Sequence, residues 1–204
     1  EMKDAVESKL FGIGSEAFVV GSYDFYLAYA QPRGMMVCLD MGHFHPTESI
    51  ADKVSSLLPF FDGLLIHVSR GLRWDSDHVV ILDDSVRALM EEVVRADALD
   101  RVHFSLDFFD ASLNRVGAWV IGGRAARQAL LLALLEPRER MKEAEERGDG
   151  FERLALMESL KTMPFGAVWD RYCATMEVPA GLEWMQEVAD YEAKVTSRRD
   201  EGRG

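Results

Sequence analysis

Short strand-like segments that end in polar residues, separated by helix-like stretches, constrain the fold of this chain more than any other feature. Two of these segments are compact and apolar, MMVCL at 35–39 and GLLIHV at 63–68. Two more strands are predicted, one that ends near Glu7 and one over 102–106. Apolar strands that alternate with helices are typical of a parallel sheet with helical crossovers, which indicates an α/β fold.

The stretches between these strands carry helix signals. We predict helices that begin at Ser22, at Thr47, at Asp83 or Asp84, and over 112–135, where Asp110 is the predicted cap. The strand–helix units together amount to half of a (β/α)8 barrel. In such barrels the functional residues lie at the carboxyl ends of the strands, and here each strand ends on or near a polar residue.

A change of composition at Pro137 divides the chain. Residues 1–136 are predicted to form the half barrel, and residues 137–204 a helical extension. The extension opens with the charged stretch PRERMKEAEERGDG and continues with amphipathic helices predicted over 151–161, 165–176 and 181–197. Since the barrel strands do not require these helices, we expect the extension to pack on the barrel or on another subunit.

Charge and cysteine content argue against several classes of partner and compartment. With 23 basic and 35 acidic residues the net charge is −12, which disfavours nucleic acid as a partner. Cys38 and Cys173 lack CxxC spacing, so we expect a reducing compartment, with Cys38 as a packed small side chain. The longest apolar run, 129–135, is too short to span a membrane. Because strand-like sequence follows Glu1 almost at once, we expect a fragment of a longer protein.

Carboxylate and imidazole side chains cluster at the predicted strand ends. In chain order the candidates are Glu7, Asp40, His43, His67, Asp75, Asp77 and Asp107, with Lys9 beside them. Such groups are ligands of divalent cations, including Mn²⁺, Mg²⁺, Co²⁺ and Zn²⁺. This set exceeds the needs of one ion, so we expect two ions that share a bridging carboxylate. A cation also relieves the repulsion that raises the pKa of neighbouring carboxylates.

The spacing of these residues supports a shared pocket. Residues i and i+2 at a strand end point the same way, so Glu7 with Lys9, and Asp75 with Asp77, can each face one site. Lys9 would stabilise a negatively charged substrate oxygen. Taken singly, the signals have ordinary interpretations, such as a surface ion pair for Glu7 and Lys9 or a core histidine for His67. Their joint occurrence at successive strand ends favours a site.

Four local sequences carry the most specific signal. They are ESKLFGIGSE (7–16), CLDMGHFHPTE (38–48), LLIHVSRGLRWDSDHVV (64–80) and RVHFSLDFFDASLNR (101–115). These sequences resemble the L-rhamnose isomerase family of xylose-isomerase-like barrels, over nearly the whole chain but only about half of the family's length. The resemblance implies that 1–136 is the second, carboxy-terminal half of a metal-binding (β/α)8 TIM barrel, without its first four strands. Alone, such a fragment would be inactive, so the missing amino-terminal half is an expected partner.

The resemblance implies a role for each candidate residue. The ligands of the catalytic ion, usually Mn²⁺, match His43, Asp75 and Asp77. The ligands of the structural ion, Zn²⁺ or Mn²⁺, match Glu7, Asp40, His67 and Asp107. Lys9, Asp40 and Asp107 are implied to contact the substrate. Lys9 and Asp75 are the implied catalytic residues, Asp75 together with a water that takes the hydroxyl proton.

The activity implied by the resemblance is aldose–ketose isomerisation, the interconversion of L-rhamnose and L-rhamnulose. Hydrogen moves between C1 and C2, either as a hydride or through an enediol. A cytoplasmic homotetramer that acts on L-rhamnose and similar aldoses is implied as well. Two alternatives stay open: a sugar epimerase or other two-metal barrel enzyme, and, in a different class, a non-catalytic fragment that serves only in assembly.

Overall fold

The chain folds into two compact units, Glu1–Glu136 and Pro137–Gly204. The computed structural model describes residues 2–10, 12, 14–73, 76–110 and 112–200. The division between the units falls where the composition changes at Pro137. The role of the second unit in packing or oligomerisation stays a prediction.

A four-stranded parallel sheet lies at the centre of the first unit, which confirms the predicted α/β class. Its strands are β1 (Ala5–Glu7), β2 (Met36–Asp40), β3 (Leu64–Val68) and β4 (Val102–Leu106). Each strand pairs with its neighbour in sequence, in the order β1-β2-β3-β4. Parallel pairing requires a long crossover between strands, and the helices of this unit supply it. This is the strand arrangement expected for half of a (β/α)8 barrel.

Helices cover one face of this sheet. They are α1 (Tyr23–Ala30), α2 (Ala51–Leu57), α3 (Asp84–Arg95) and α4 (Arg115–Leu134), with 3-10 turns at Gly14–Val19 and Gln31–Arg33. The core between sheet and helices contains Val37, Leu39, Leu64, Ile66 and Val68 from the strands with Val54, Leu89, Val93 and Ala129 from the helices. Because side chains alternate along a strand, the half-buried His67 between Ile66 and Val68 points to the opposite face.

Two of the predicted helix caps are correct and two are wrong. Ser22 caps α1 and Asp83 caps α3, each accepting a backbone N–H of the first turn. Helix α2 begins at Ala51 and not near Thr47, because the Thr47 hydroxyl lies 2.7 Å from the His45 Nδ1 within a preceding turn. Helix α4 is capped by Asn114, since the carboxylate of Asp110 accepts from the backbone and hydroxyl of Ser112 instead.

The long helix α4 packs through small residues. Its buried positions are Gly117, Ala118, Gly122, Ala125, Ala129 and Ala133. A Cβ added at Gly122 would lie 2.7 Å from the Phe108 ring, so this glycine permits close contact with the segment that follows β4. Within the part of the chain that the structure describes, no single helix is both long and apolar enough to cross a membrane; α4 and the helix that follows it pass that test only as a bent pair.

The second unit is wholly helical over its described residues. Its helices are α5 (Arg138–Glu146), α6 (Gly150–Leu160), α7 (Phe165–Thr175), α8 (Trp184–Tyr191), a π-helix at Glu192–Thr196 and α9 (Ser197–Asp200). Trp169 and Cys173 on α7 are buried, and the Trp169 indole N–H donates to the Ala180 carbonyl oxygen at 3.3 Å. The predicted amphipathic helices are confirmed, with the last of them divided into three shorter elements.

Replacement of the α4 cap should destabilise the first unit. The Asn114 side chain accepts the Gly117 N–H at 2.9 Å, so Asn114→Ala leaves a helix N–H without its acceptor. We expect a loss of about 1 kcal/mol in the free energy of unfolding, measured by urea denaturation. Thr47→Ala is the matched control, since Thr47 caps no helix and its contact with His45 is exposed, so its midpoint should change less. Equal effects of the two substitutions would contradict this assignment of the caps.

Candidate metal centre

Parallel register brings four polar residues from distant parts of the chain to one edge of the sheet. Asp40 at the end of β2 lies directly opposite His67 on β3. Glu7 ends β1 opposite Cys38, two residues before Asp40. Asp107 follows β4, and its N–H is directed at the Val68 carbonyl oxygen at 3.4 Å. The strand ends that carry these four residues therefore lie close together, as the sequence predicts.

The imidazole of His67 lies at the centre of these carboxylates. Its Nδ1 is 2.9 Å from Glu7 Oε1, 3.1 Å from Asp107 Oδ2 and 3.4 Å from Asp40 Oδ2. Donor atoms of Asp40, His67 and Asp107 all lie within 4.8 Å of one another, as do those of Glu7, Asp40 and His43. Several oxygen atoms and a ring nitrogen converging on one point form a donor set suited to a divalent cation.

Asp40 carries the clearest sign that a cation fits here. The residue is 1% exposed, and its Oδ1 accepts from the Gly42 N–H at 2.7 Å and the Ser69 hydroxyl at 2.8 Å. Its Oδ2 is buried and forms no hydrogen bond of good geometry, and its nearest cationic group is His67 Nδ1 at 3.4 Å. A buried carboxylate oxygen with so weak a contact is costly, and a metal ion compensates that cost. The residues present therefore fit a divalent ion.

A second pair of candidate ligands, His43 and Asp77, lies beside the first group. His43 Nε2 is 3.3 Å from Asp77 Oδ2, and His43 Nδ1 is 3.1 Å from the Ser8 carbonyl oxygen. Because a carbonyl oxygen only accepts, Nδ1 carries a proton, which leaves Nε2 of the neutral ring as the ligand atom. Asp77 Oδ1 is also buried without a hydrogen-bond partner. These two residues are among the ligands that the sequence predicts for a second ion, which stays a prediction.

Opposite charges compensate one another in this cluster. Contact with Asp40, then with Cys38 and Glu7, raises the pKa of His67 to about 12. Burial lowers the pKa of His43, but its hydrogen bond to Asp77 and the charge of Asp40 outweigh burial and raise it to about 9. In the same way burial raises the pKa of Glu7, and its contacts with His67 more than offset that effect. Without metal, protonated imidazoles are thus the counter-cations of these carboxylates.

Lys9 and Asp75 are the two remaining predicted site residues. Lys9 lies two residues beyond Glu7 at the same strand end, and its backbone pairs with Gly21 through hydrogen bonds of 3.1 and 2.8 Å. Asp75 lies outside the described residues. Contact of Lys9 with substrate and the ligand role of Asp75 stay predictions.

Sequence reasoning missed three contributors to this centre. Cys38 is buried as predicted, but its thiol also donates to Glu7 Oε1 at 3.5 Å. Ser69 and the backbone of Gly42 both donate to Asp40. The sequence does contain a signal for Cys38 and Ser69. Cys38 precedes Asp40 by two residues and Ser69 follows His67 by two, and side chains with this spacing lie on the same face of a strand.

Comparison with known proteins identifies one family. The sequence model of the family described as L-rhamnose isomerase (RhaA) matches residues 1–199. The L-rhamnose isomerase of Rhodopirellula baltica is 57% identical over 198 residues, which are 97% of this chain and 46% of that protein. The Bacteroides thetaiotaomicron L-rhamnose isomerase is 57% identical over 97% of this chain and 47% of its own length. The chain thus spans about half the length of the curated relatives it matches.

Metal binding at this centre should release protons. At pH 7 both rings are protonated in the metal-free chain, because the pKa of His67 is about 12 and that of His43 about 9. A ligand imidazole must be neutral, so uptake of the ions is expected to expel about two protons. The apparent affinity for Mn²⁺ should therefore fall as the pH is lowered and rise as the pH approaches about 9. Calorimetry in buffers of different ionisation enthalpy measures the released protons.

A matched pair of variants controls this experiment. His103→Gln alters an exposed histidine outside the cluster, 3.5 Å from the Lys3 ammonium, and should leave proton release unchanged. His67→Gln should lower the count by about one. Mn²⁺ uptake at pH 7 without any proton release would show that these rings are not ligands.

Proposed function

The chain belongs to the L-rhamnose isomerase family, and from that premise we propose that it supplies the metal-binding half of an aldose–ketose isomerase. The reaction is the interconversion of L-rhamnose and L-rhamnulose by hydrogen transfer between C1 and C2. The observation that supports the proposal is the convergence of the carboxylates of Glu7, Asp40 and Asp107 on His67. A non-catalytic assembly fragment would not require three carboxylates so close together at one edge of the sheet.

Two divalent ions belong to this proposal. Glu7, Asp40, His67 and Asp107 would hold the structural ion, Zn²⁺ or Mn²⁺. His43, Asp77 and Asp75 would hold the catalytic ion, for which oxygen and imidazole ligands without thiolate suit Mn²⁺. When bound, such ions polarise adjacent oxygen atoms of a sugar and hold them in place.

In the proposal, side chains of this protein orient the sugar and transfer its protons. The side chain of Asp107 is 58% exposed, so it remains accessible to a substrate hydroxyl while it contacts His67. Asp40 is held by Gly42 and Ser69 on one oxygen, which fixes the direction of the other. In the proposal Lys9 donates to a substrate oxygen that gains negative charge, and Asp75 accepts a hydroxyl proton.

The sheet leaves room for the other half of a barrel. β1 and β4 are the outer strands of the sheet, and each pairs with one neighbour among the described residues. Phe18 is 91% exposed and Phe109 is 68% exposed, which supports further covering structure. We propose that an amino-terminal half with four more strands closes the barrel, and that the complete enzyme is a cytoplasmic homotetramer in which the helical unit contributes packing.

The proposed activity can be tested with the native protein in the presence of Mn²⁺. L-rhamnose should be converted to a ketose, detected colorimetrically and by chromatography of the product. Replacement of a proposed ligand, in His43→Ala or Asp77→Asn, should lower kcat by more than about 100-fold, because the polarising ion is lost. His103→Gln, which alters a histidine outside the centre, should retain the activity of the unmodified protein.

The product distinguishes the proposal from its alternatives. An isomerase forms a ketose from an aldose, whereas an epimerase inverts one carbon and leaves the aldose or ketose class unchanged. Failure to form a ketose from rhamnose, lyxose or mannose, with Mn²⁺ bound, would rule out the proposed activity.

A further inference from the structure

The loop that follows β2 crosses the loop that follows β3 at a buried glycine, Gly42. In the chain Gly42 stands between Asp40, a proposed ligand of the structural ion, and His43, a proposed ligand of the catalytic ion. The loop that it meets contains Ser76 and Asp77, so the crossing lies between the two proposed ion sites.

The backbone of Gly42 is bonded to both sides of this crossing. Its N–H donates to Asp40 Oδ1 at 2.7 Å. Its carbonyl oxygen accepts from the Ser76 N–H at 3.0 Å. One residue thereby connects a carboxylate of the first site to the loop that presents Asp77 to the second site.

The crossing has no space for a side chain. A Cβ on Gly42 would overlap Asp77 Oδ1 and the Ser76 carbonyl oxygen, and would lie 2.9 Å from the Ser76 carbonyl carbon. A flexible side chain could move aside, but the Ser76 backbone is held by its own bond to Gly42. On the facing loop, a Cβ on Gly71 would lie 3.2 Å from the Met41 carbonyl oxygen and 3.4 Å from the Gly42 Cα. The two loops thus touch through glycines.

We propose that Gly42 is a positioning residue that sets the separation of the two ion sites, an inference that rests on the proposed function. Contact at Gly42 holds the Asp77 carboxylate within 3.3 Å of His43 Nε2 while the same residue orients Asp40. Catalytic constellations need their groups within about 0.5 Å of the productive geometry. Alanine retains the backbone N–H that donates to Asp40, but its methyl group displaces the Asp77 loop by more than that tolerance, so the second ion loses a ligand while the first keeps its own.

A series of glycine-to-alanine substitutions tests this inference. Gly42→Ala introduces an overlap, Gly71→Ala a tight contact, and Gly123→Ala an ordinary contact, since its Cβ would lie 3.7 Å from Leu106 Cδ1. The stoichiometry and affinity of Mn²⁺ binding to the full chain are measured by equilibrium dialysis and electron paramagnetic resonance, and folding by circular dichroism.

The expected loss of Mn²⁺ affinity increases with the steric overlap that each added Cβ introduces. The unmodified chain and Gly123→Ala should bind two ions. Gly42→Ala should bind one, with an affinity for the second ion reduced at least about 100-fold, and Gly71→Ala should show a smaller loss of about 10-fold. A glycine needed only for packing would lower thermal stability without this selective loss of one ion.

Each other outcome contradicts the inference. Binding of both ions by folded Gly42→Ala with unchanged affinity overturns it, and so does equal weakening of both sites. If Gly42→Ala does not fold, the inference is tested with Gly71→Ala. Weaker binding of the second ion alone in that variant supports the inference, and unchanged binding overturns it. An unmodified chain that binds fewer than two ions contradicts the proposed metal centre itself, a failure seen before any variant is compared.

Discussion

Repulsion among carboxylates at one edge of a parallel sheet is the constraint on which the rest of this structure depends. Glu7, Asp40 and Asp107 all lie within 3.4 Å of a single nitrogen of His67. Three carboxylates this close to one another all stay ionised only beside a positive charge. In the metal-free chain protonated His67 and His43 provide that charge, and in the proposed enzyme divalent ions take their place.

The fold places the apolar core on one face of the sheet and the polar cluster on the other. Apolar residues on one face of β2 and β3 pack against α2 and α3, and the alternation of side chains directs Asp40 and His67 to the other face. Since the strand backbone holds both residues in register, the carboxylate and the imidazole meet at little conformational cost. Loops supply His43 and Asp77, and in the proposal the second ion site depends on how tightly the two loops pack at Gly42.

Much of this arrangement is predictable from sequence, and the limits have physical causes. The strands and α3 follow from apolar periodicity, and Glu7, Asp40, His67 and Asp107 follow from their positions at the strand ends. The helix starts at Thr47 and Asp110 are predicted wrongly, because side chains of this type also form local turns, here with His45 and Ser112. The importance of Gly42 depends on contact with a loop more than 30 residues away, which no local pattern encodes.

The central claim is that two ions share this edge of the sheet. Anomalous diffraction from crystals of the native protein grown with Mn²⁺, recorded on both sides of the manganese absorption edge, tests it directly. The account predicts two anomalous peaks, one among Glu7, Asp40, His67 and Asp107 and one beside His43 and Asp77. An ordered sheet with these side chains in place and no anomalous peak between them would contradict the account.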